Sequence, residues 1–160
     1  MEVRGGNGYI EDWINPRLIR DAHVGLLWEG TSNINALDVV TRAIPKEEAH
    51  LALRDIVVER IQAAAGIPPE FAAKLEATVR RAADFAGEVA ASEAAQERHA
   101  RLAAGALYHA MTAALLAVEG ATAGAEPDGD ARRLLLARMV LDHRLAPQDP
   151  LAISDSRFDV

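Results

Sequence analysis

PPEFAAKLEATVRRAADFAGEV, residues 68–89, decides the fold. Phe71, Leu75 and Val79 recur every four residues, and Phe85 and Val89 repeat the interval. That spacing lines one face of a helix and cannot line one face of a strand. The positions between are filled with Ala, Arg and Glu, which favour helix intrinsically, and Pro68-Pro69 is a start signal. The stretch reads as a long helix with an apolar stripe that other helices must cover.

Working outward, residues 46–65 repeat the pattern with Leu53, Ile56, Val57 and Ile61, and Gly66 stops them. Residues 97–118 carry Leu102, Ala106, Leu107, Met111, Leu115 and Val118 on another stripe. GATAGAEPDGD, residues 120–130, has the composition of a loop. Asp130 caps a fourth helix, ARRLLLARMVLDHRL, and a tail with Pro147 and Pro150 reads as irregular. Period-two apolar alternation is absent. The chain is therefore expected to be all-α: a bundle of antiparallel helices with short loops and no β-sheet. Its core should hold Phe71, Leu75, Val79, Leu107, Met111, Leu115, Leu135 and Met139.

Residues 1–44 are organised differently. They open on a glycine-rich turn, GGNGY, followed by Asn15-Pro16 as a helix cap with proline at the first helical position. A helix of about ten residues, RLIRDAHVGL, follows. Thr31-Ser32 starts another helix, in which Ile34, Leu37 and Val40 or Thr41 share a face. Ile44-Pro45 ends it, because a residue before proline avoids the helical region. The domain division is thus 1–44 and 45–160.

Composition narrows the function. Net charge is −7; residues 1–45 hold 4 basic and 6 acidic residues of the chain's 17 and 24. Neither part has the basic footprint of a nucleic-acid or anionic-membrane binder. With no cysteine, disulfides and thiolate metal sites are excluded, which fits a cytoplasmic protein. The most apolar run, about 106–118, reads as too short to span a bilayer. The histidines at 23, 50, 99, 109 and 143 never fall four apart beside a carboxylate, so no HExxH zinc site is expected. Neither GxSxG nor GxxxxGK[ST] occurs, and GGNGY follows no strand. One carboxylate stands out: Glu29, in LWEGTSNI (27–34), between a tryptophan and a helix start.

Three blocks in order, GGNGYIED, NPRLIRDAHVG and LLWEGTSNINALDV, resemble the final stretch of the acyl-CoA dehydrogenase flavoproteins. Trp28, in place of the more common Tyr or Phe, and Asn33, where many members have Glu, look more like the AidB-like branch. Glu2 sits where many members carry a Gln that reaches the ADP portion of FAD across a dimer.

This resemblance implies an oxidoreductase of fatty acid metabolism that binds FAD and removes two hydrogens from C2 and C3 of an acyl-CoA. Glu29 matches the base that takes the α-proton, although some members place that base on another helix. Gly30 matches a backbone position against the substrate. Thr31, Ser32 and Asn33 match positions near FAD, and Gly5 and Gly6 a contact to its ADP portion from a neighbouring subunit. Plain N-capping is the alternative for Thr31 and Ser32, and a solvated charge for Glu29.

The family's site also needs an N-terminal helical domain and a β-barrel. This chain is expected to be the C-terminal part of such a protein, binding FAD weakly or not at all by itself and inactive alone. The apolar Ile10, Trp13, Leu18, Ile19, Leu26, Leu27 and Trp28 imply a homo-oligomer. The competing readings are a non-catalytic helical oligomerisation module and an alkylation-response flavoprotein remnant; a nucleic-acid or membrane partner is not expected.

Overall fold

The computed structural model describes residues 2–28, 30–124 and 132–146. All secondary structure there is helical, and the described residues contain no strand. A 3-10 turn, Glu2–Gly8, precedes α1 (Asn15–Trp28) and α2 (Ser32–Asp38). A π-helical turn, Val39–Ala43, runs directly into the short α3 (Ile44–Glu47). The bundle proper comprises α4 (Ala49–Ala63), α5 (Pro69–Ala90), α6 (Glu93–Gly124) and α7 (Arg132–Val140), with a second π turn at Leu141–Leu145.

The helix over 69–90 forms where its periodicity places it. Ala91-Ser92 then reverses the chain, and α6 returns antiparallel along α5. Ser92 caps α6: its Oγ accepts the Ala95 N–H at 3.4 Å, and Gln96 Nε2 donates to the Ala90 carbonyl at 2.7 Å. These bonds start α6 four residues before the 97 expected from its apolar stripe. The other end also runs on, since residues 120–124, expected as loop, are helical. Gly120 faces α7 so closely that a Cβ there would lie 2.9 Å from the Leu134 backbone nitrogen. Packing against α7 therefore holds GATAG in a helix despite its loop composition. Asp130 and the Pro147–Pro150 tail fall outside the described residues.

α6 is the centre: α5 and α7 lie along it, and α4 and α2 flank it. It is 32 residues long, and by length and composition alone is apolar enough to cross a bilayer, unlike the shorter run read from sequence. Its buried face is packed within the protein, as in the core helix of a bundle. That face consists of alanine: Ala100, Ala103, Ala110, Ala113, Ala114, Ala117 and Ala121. Ala82, Ala83, Ala86 and Ala90 supply the matching small surface on α5.

Of the expected core, Leu75 and Val79 are buried, and Phe71, Leu107, Met111 and Leu115 are partly buried. Leu135 and Met139 are exposed, as are Ile56 and Leu102. On α7 the small Ala137 and the following Leu141 face inward instead. Helices that approach through alanine leave no room between them for large side chains, which move to the flanks.

Two readings of the first segment also need correction. The helix begins at Asn15 itself, and the Ile14 carbonyl accepts the Leu18 N–H at 3.1 Å, so Ile14 holds the cap position. Nor does Ile44-Pro45 end the helical path, which continues to Glu47 and closes at Glu48 in the left-handed region (φ 50°). Buried Ile44, seated with Val89 and Ala90, holds the residue before proline in helical geometry, and the π turn just before it gives the ladder slack. α2 buries Ala36, Val40 follows in the π turn, and Ile34 is exposed, so the inward face lies two residues along from the expected one.

Two predictions follow from this packing. Leu75, 0% exposed, should cost about 2–5 kcal/mol when cut to alanine, whereas Leu102→Ala, at 62% exposure, should cost about 0.5 kcal/mol or less. Urea unfolding monitored by far-UV circular dichroism gives both values, and similar costs would refute the assignment of the core to small residues.

Burial, with Arg144 nearby, lowers the pKa of His109 from its ordinary 6.5. The unfolded chain therefore takes up this proton at higher pH than the folded one, and stability should fall as pH drops through about 6.5 towards the folded value. His109→Gln should flatten that slope between pH 8 and 5, a range that lies above the carboxylate titrations (about).

Candidate functional site

The junction between α1 and α2 holds most of the residues that the sequence singles out. Glu29 lies outside the described residues; its neighbours Trp28 and Gly30 are described. Trp28 ends α1 with its indole 83% exposed. Gly30 then takes φ 91°, a conformation that side-chain-bearing residues rarely adopt. A Cβ there would also lie 2.9 Å from Asn35 Oδ1. Both facts require glycine at the point where the chain turns from one helix into the next.

Thr31 is the N-cap of α2, with extended backbone (φ −65°, ψ 156°), and its hydroxyl makes no capping bond. Its carbonyl accepts the Asn35 N–H at 3.0 Å. The capping alternative is thus met by backbone position alone, which leaves the Thr31 hydroxyl available at an exposed site. Ser32 is half-buried and Asn33 exposed in the first turn of α2. The junction is tied by a residue that the motif did not mark: Asn35 Nδ2 donates to the Gly30 carbonyl at 3.2 Å. An amide five residues after a turning glycine was the available signal.

Gly5 and Gly6 sit in the 3-10 turn, where Gly5 takes φ 54° and kinks the chain. Both are exposed, with open space where a Cβ would be. The turn is fixed to α1 by a two-pronged ion pair, Arg20 Nη1 to Glu11 Oε1 at 2.7 Å and Nη2 to Oε2 at 3.1 Å. That hydrogen bond holds the Glu11 carboxyl below its usual pKa. The glycine turn does not pack closely against α2, so the two sets of candidate cofactor residues occupy separate places in this chain.

Behind the junction, a second two-pronged pair supports the helix. Arg42 Nε and Nη2 donate to Asp38 at 2.7 and 2.6 Å, and the Asp38 pKa is lowered by that bond. The Arg42 guanidinium also approaches Glu47 at 3.9 Å. Farther along, Ala36, Val40 and Ile44 bury into the cluster formed by Ala86, Val89, Ala90, Ala100 and Ala103. The donors at the start of α2 are therefore carried on a helix that is anchored at its other end in α5 and α6.

Elsewhere the cavities offer little. One apolar space beside His50, Leu53, Val79 and Met111 measures about 10 Å³, room for a single water. An open groove of about 530 Å³ lies along Leu116, Leu136, Met139 and Val140. Among the described residues no group of three or more His, Asp or Glu side chains could hold a metal ion.

The sequence of this junction matches known proteins. A family model described as the acyl-CoA dehydrogenase C-terminal domain matches residues 1–44. Acyl-CoA dehydrogenase family member 11 of Caenorhabditis elegans is 48% identical over 52 residues, which is 32% of this chain and 8% of that protein. The putative acyl-CoA dehydrogenase AidB of Escherichia coli (strain K12) is 52% identical over 40 residues, 25% of this chain and 7% of that protein. The chain thus spans less than a tenth of the length of these curated relatives. No solved structure matches it. The first 44 residues, with the Trp28-Gly30-Thr31 junction inside them, are acyl-CoA dehydrogenase C-terminal-domain sequence at the head of a longer helical chain.

Proposed function

We propose that residues 1–44 supply the base and part of the cofactor wall of an FAD-dependent acyl-CoA dehydrogenase, with residues 45–160 an appended helical bundle. One observation carries this reading: the family match spans the whole Glu29-Gly30-Thr31 block, and that block sits at a turn which only glycine can make. A plain helix cap would need neither the acid nor the strained glycine.

The residues present suit a flavin dinucleotide. The start of α2 offers first-turn N–H groups and a Thr31 hydroxyl not engaged in capping, donors of the kind that bind phosphate and ring oxygens. When bound, the flavin accepts the hydride from the substrate's β-carbon. Glu29 takes the α-proton, and the Gly30 backbone lies against the thioester. An α-C–H is a weak acid, so the carboxylate must be held close to it in a dry site, and loss of water raises its proton affinity towards the task. Asn35, bonded to the Gly30 carbonyl, positions that backbone. Acyl-CoA is the substrate, and the remaining walls come from the family's other domains.

A second reading has its own support. The apolar residues of α1 are exposed, and α1 packs closely against no other described element, which favours a module for association.

The enzyme reading is tested by joining this chain to the flavin-binding domains of a complete relative. Glu29→Gln should keep the flavin but slow its bleaching by acyl-CoA by about 10²–10⁴-fold. Thr31→Ala should weaken flavin retention more than it slows bleaching. Normal bleaching in the Gln variant would place the base elsewhere.

A further inference from the structure

We propose that α1 is the interface between two copies of this chain, crossing antiparallel about a two-fold axis at Ala22. The inference rests on the surface of α1 and not on the flavin reading, and either can fail without the other. α1 packs closely against none of the other described elements. Yet Leu18 and Leu26 are 55% and 53% exposed, and Ile14, Val24, Leu27 and Trp28 are exposed as well. With Tyr9, Ile10 and Trp13 of the preceding turn, these side chains present apolar surface on the order of 800 Å², the share one partner contributes to a standard interface. A patch of that size exceeds what a monomer usually carries.

The order of residues identifies the occupant. Leu18, Ala22 and Leu26 follow at intervals of four and form a single row. The row reads the same in both directions about Ala22, large–small–large, which is what a two-fold interface requires. Gly25 and Ile19 flank it on opposite sides, and open space surrounds the Gly25 Cβ position. An antiparallel two-fold brings each flank onto the same flank of the other copy. Leu18 then lies over the partner's Gly25, Leu26 against the partner's Ile19, and Ala22 on the partner's Ala22 at the axis. The small residue at the crossing point lets the helices approach, and each large side chain meets a complementary neighbour.

Charge agrees. The chain carries −7, which opposes self-association in general. On α1, however, the charged groups are paired within the chain: Arg17 with Asp21 at 3.6 Å and Arg20 with Glu11 at 2.7 Å. His23 Nδ1 is bonded to the Ile19 carbonyl at 2.8 Å. The face offered to a second copy is therefore locally balanced.

The absence of cysteine makes a clean test possible. The 160-residue chain should sediment as a dimer with a dissociation constant within about 1 to 100 µM, and Leu26→Asp should weaken it by roughly tenfold or more while circular dichroism shows helix content retained. Ala22→Cys should oxidise to a symmetric disulfide dimer, because the axis brings the two Cα atoms together, whereas the exposed Ala77→Cys on α5 should not. The cysteine pair keeps the test decisive even if the aspartate unfolds the chain. A chain that stays monomeric over this range with α1 helical would overturn the proposal and hand the face to another domain. So would a dimer indifferent to Leu26→Asp, or equal crosslinking at residues 22 and 77.

Discussion

Two helices can pack only as closely as the side chains between them allow, and along α5 and α6 those side chains are alanines. Ala86 and Ala90 on α5 share one cluster with Ala100 and Ala103 on α6; Ala82 shares the other with Ala110, Ala113, Ala114 and Ala117. A methyl against a methyl gives a short interhelical distance, and each added methylene in such a seam forces a shift of backbone or rotamer. The rest of the arrangement follows from that approach. Larger residues sit at the edges, where Phe71, Leu107 and Met111 close the flanks. α7 lies so close to Gly120 that the helix cannot unwind there. α6 is consequently buried on several sides while exposing few large side chains.

This constraint explains what was legible in the sequence. Helical periodicity in residues 69–90 was plain because Leu75 and Val79 mark the buried stripe in the usual way. The inward face of α6 was not, because reading by size picks Leu102, which points to water, over Ala100 and Ala103, which do not. The same preference put Leu135 and Met139 in the core when Ala137 and Leu141 occupy it. GATAG looked like a loop because its composition says nothing of the neighbour that holds it helical. At the junction, the order of residues 27–34 carried the family resemblance, whereas the Asn35 bond to the Gly30 carbonyl depends on a turn angle that no periodicity encodes.

The segment matched to the dehydrogenase domain is not a free appendage. Ala36, Val40 and Ile44 are members of the same cluster as Val89 and Ala90 of α5, so the helix bearing Thr31 and Ser32 rises directly from the bundle. α1 differs, since its only printed ion pair beyond itself is to Glu11 in the turn before it. The chain thus divides mechanically at Gly30: a helix anchored in the core follows it, and a helix with its apolar surface open precedes it.

The π turn at Val39–Ala43 sets the phase between the two ends of that anchored helix. A π turn holds one residue more than an α turn of the same rise, and each residue of an α-helix rotates the chain by about 100°. Removing one residue from 39–43 would let the path relax to regular α-helix with Ile44 still seated, and would swing Thr31, Ser32 and the turn at Gly30 about a third of the way round the axis. The widened turn is in this sense a vernier. It allows the face that grips the bundle and the face that carries the junction to be aligned independently, so that one can change in evolution without displacing the other.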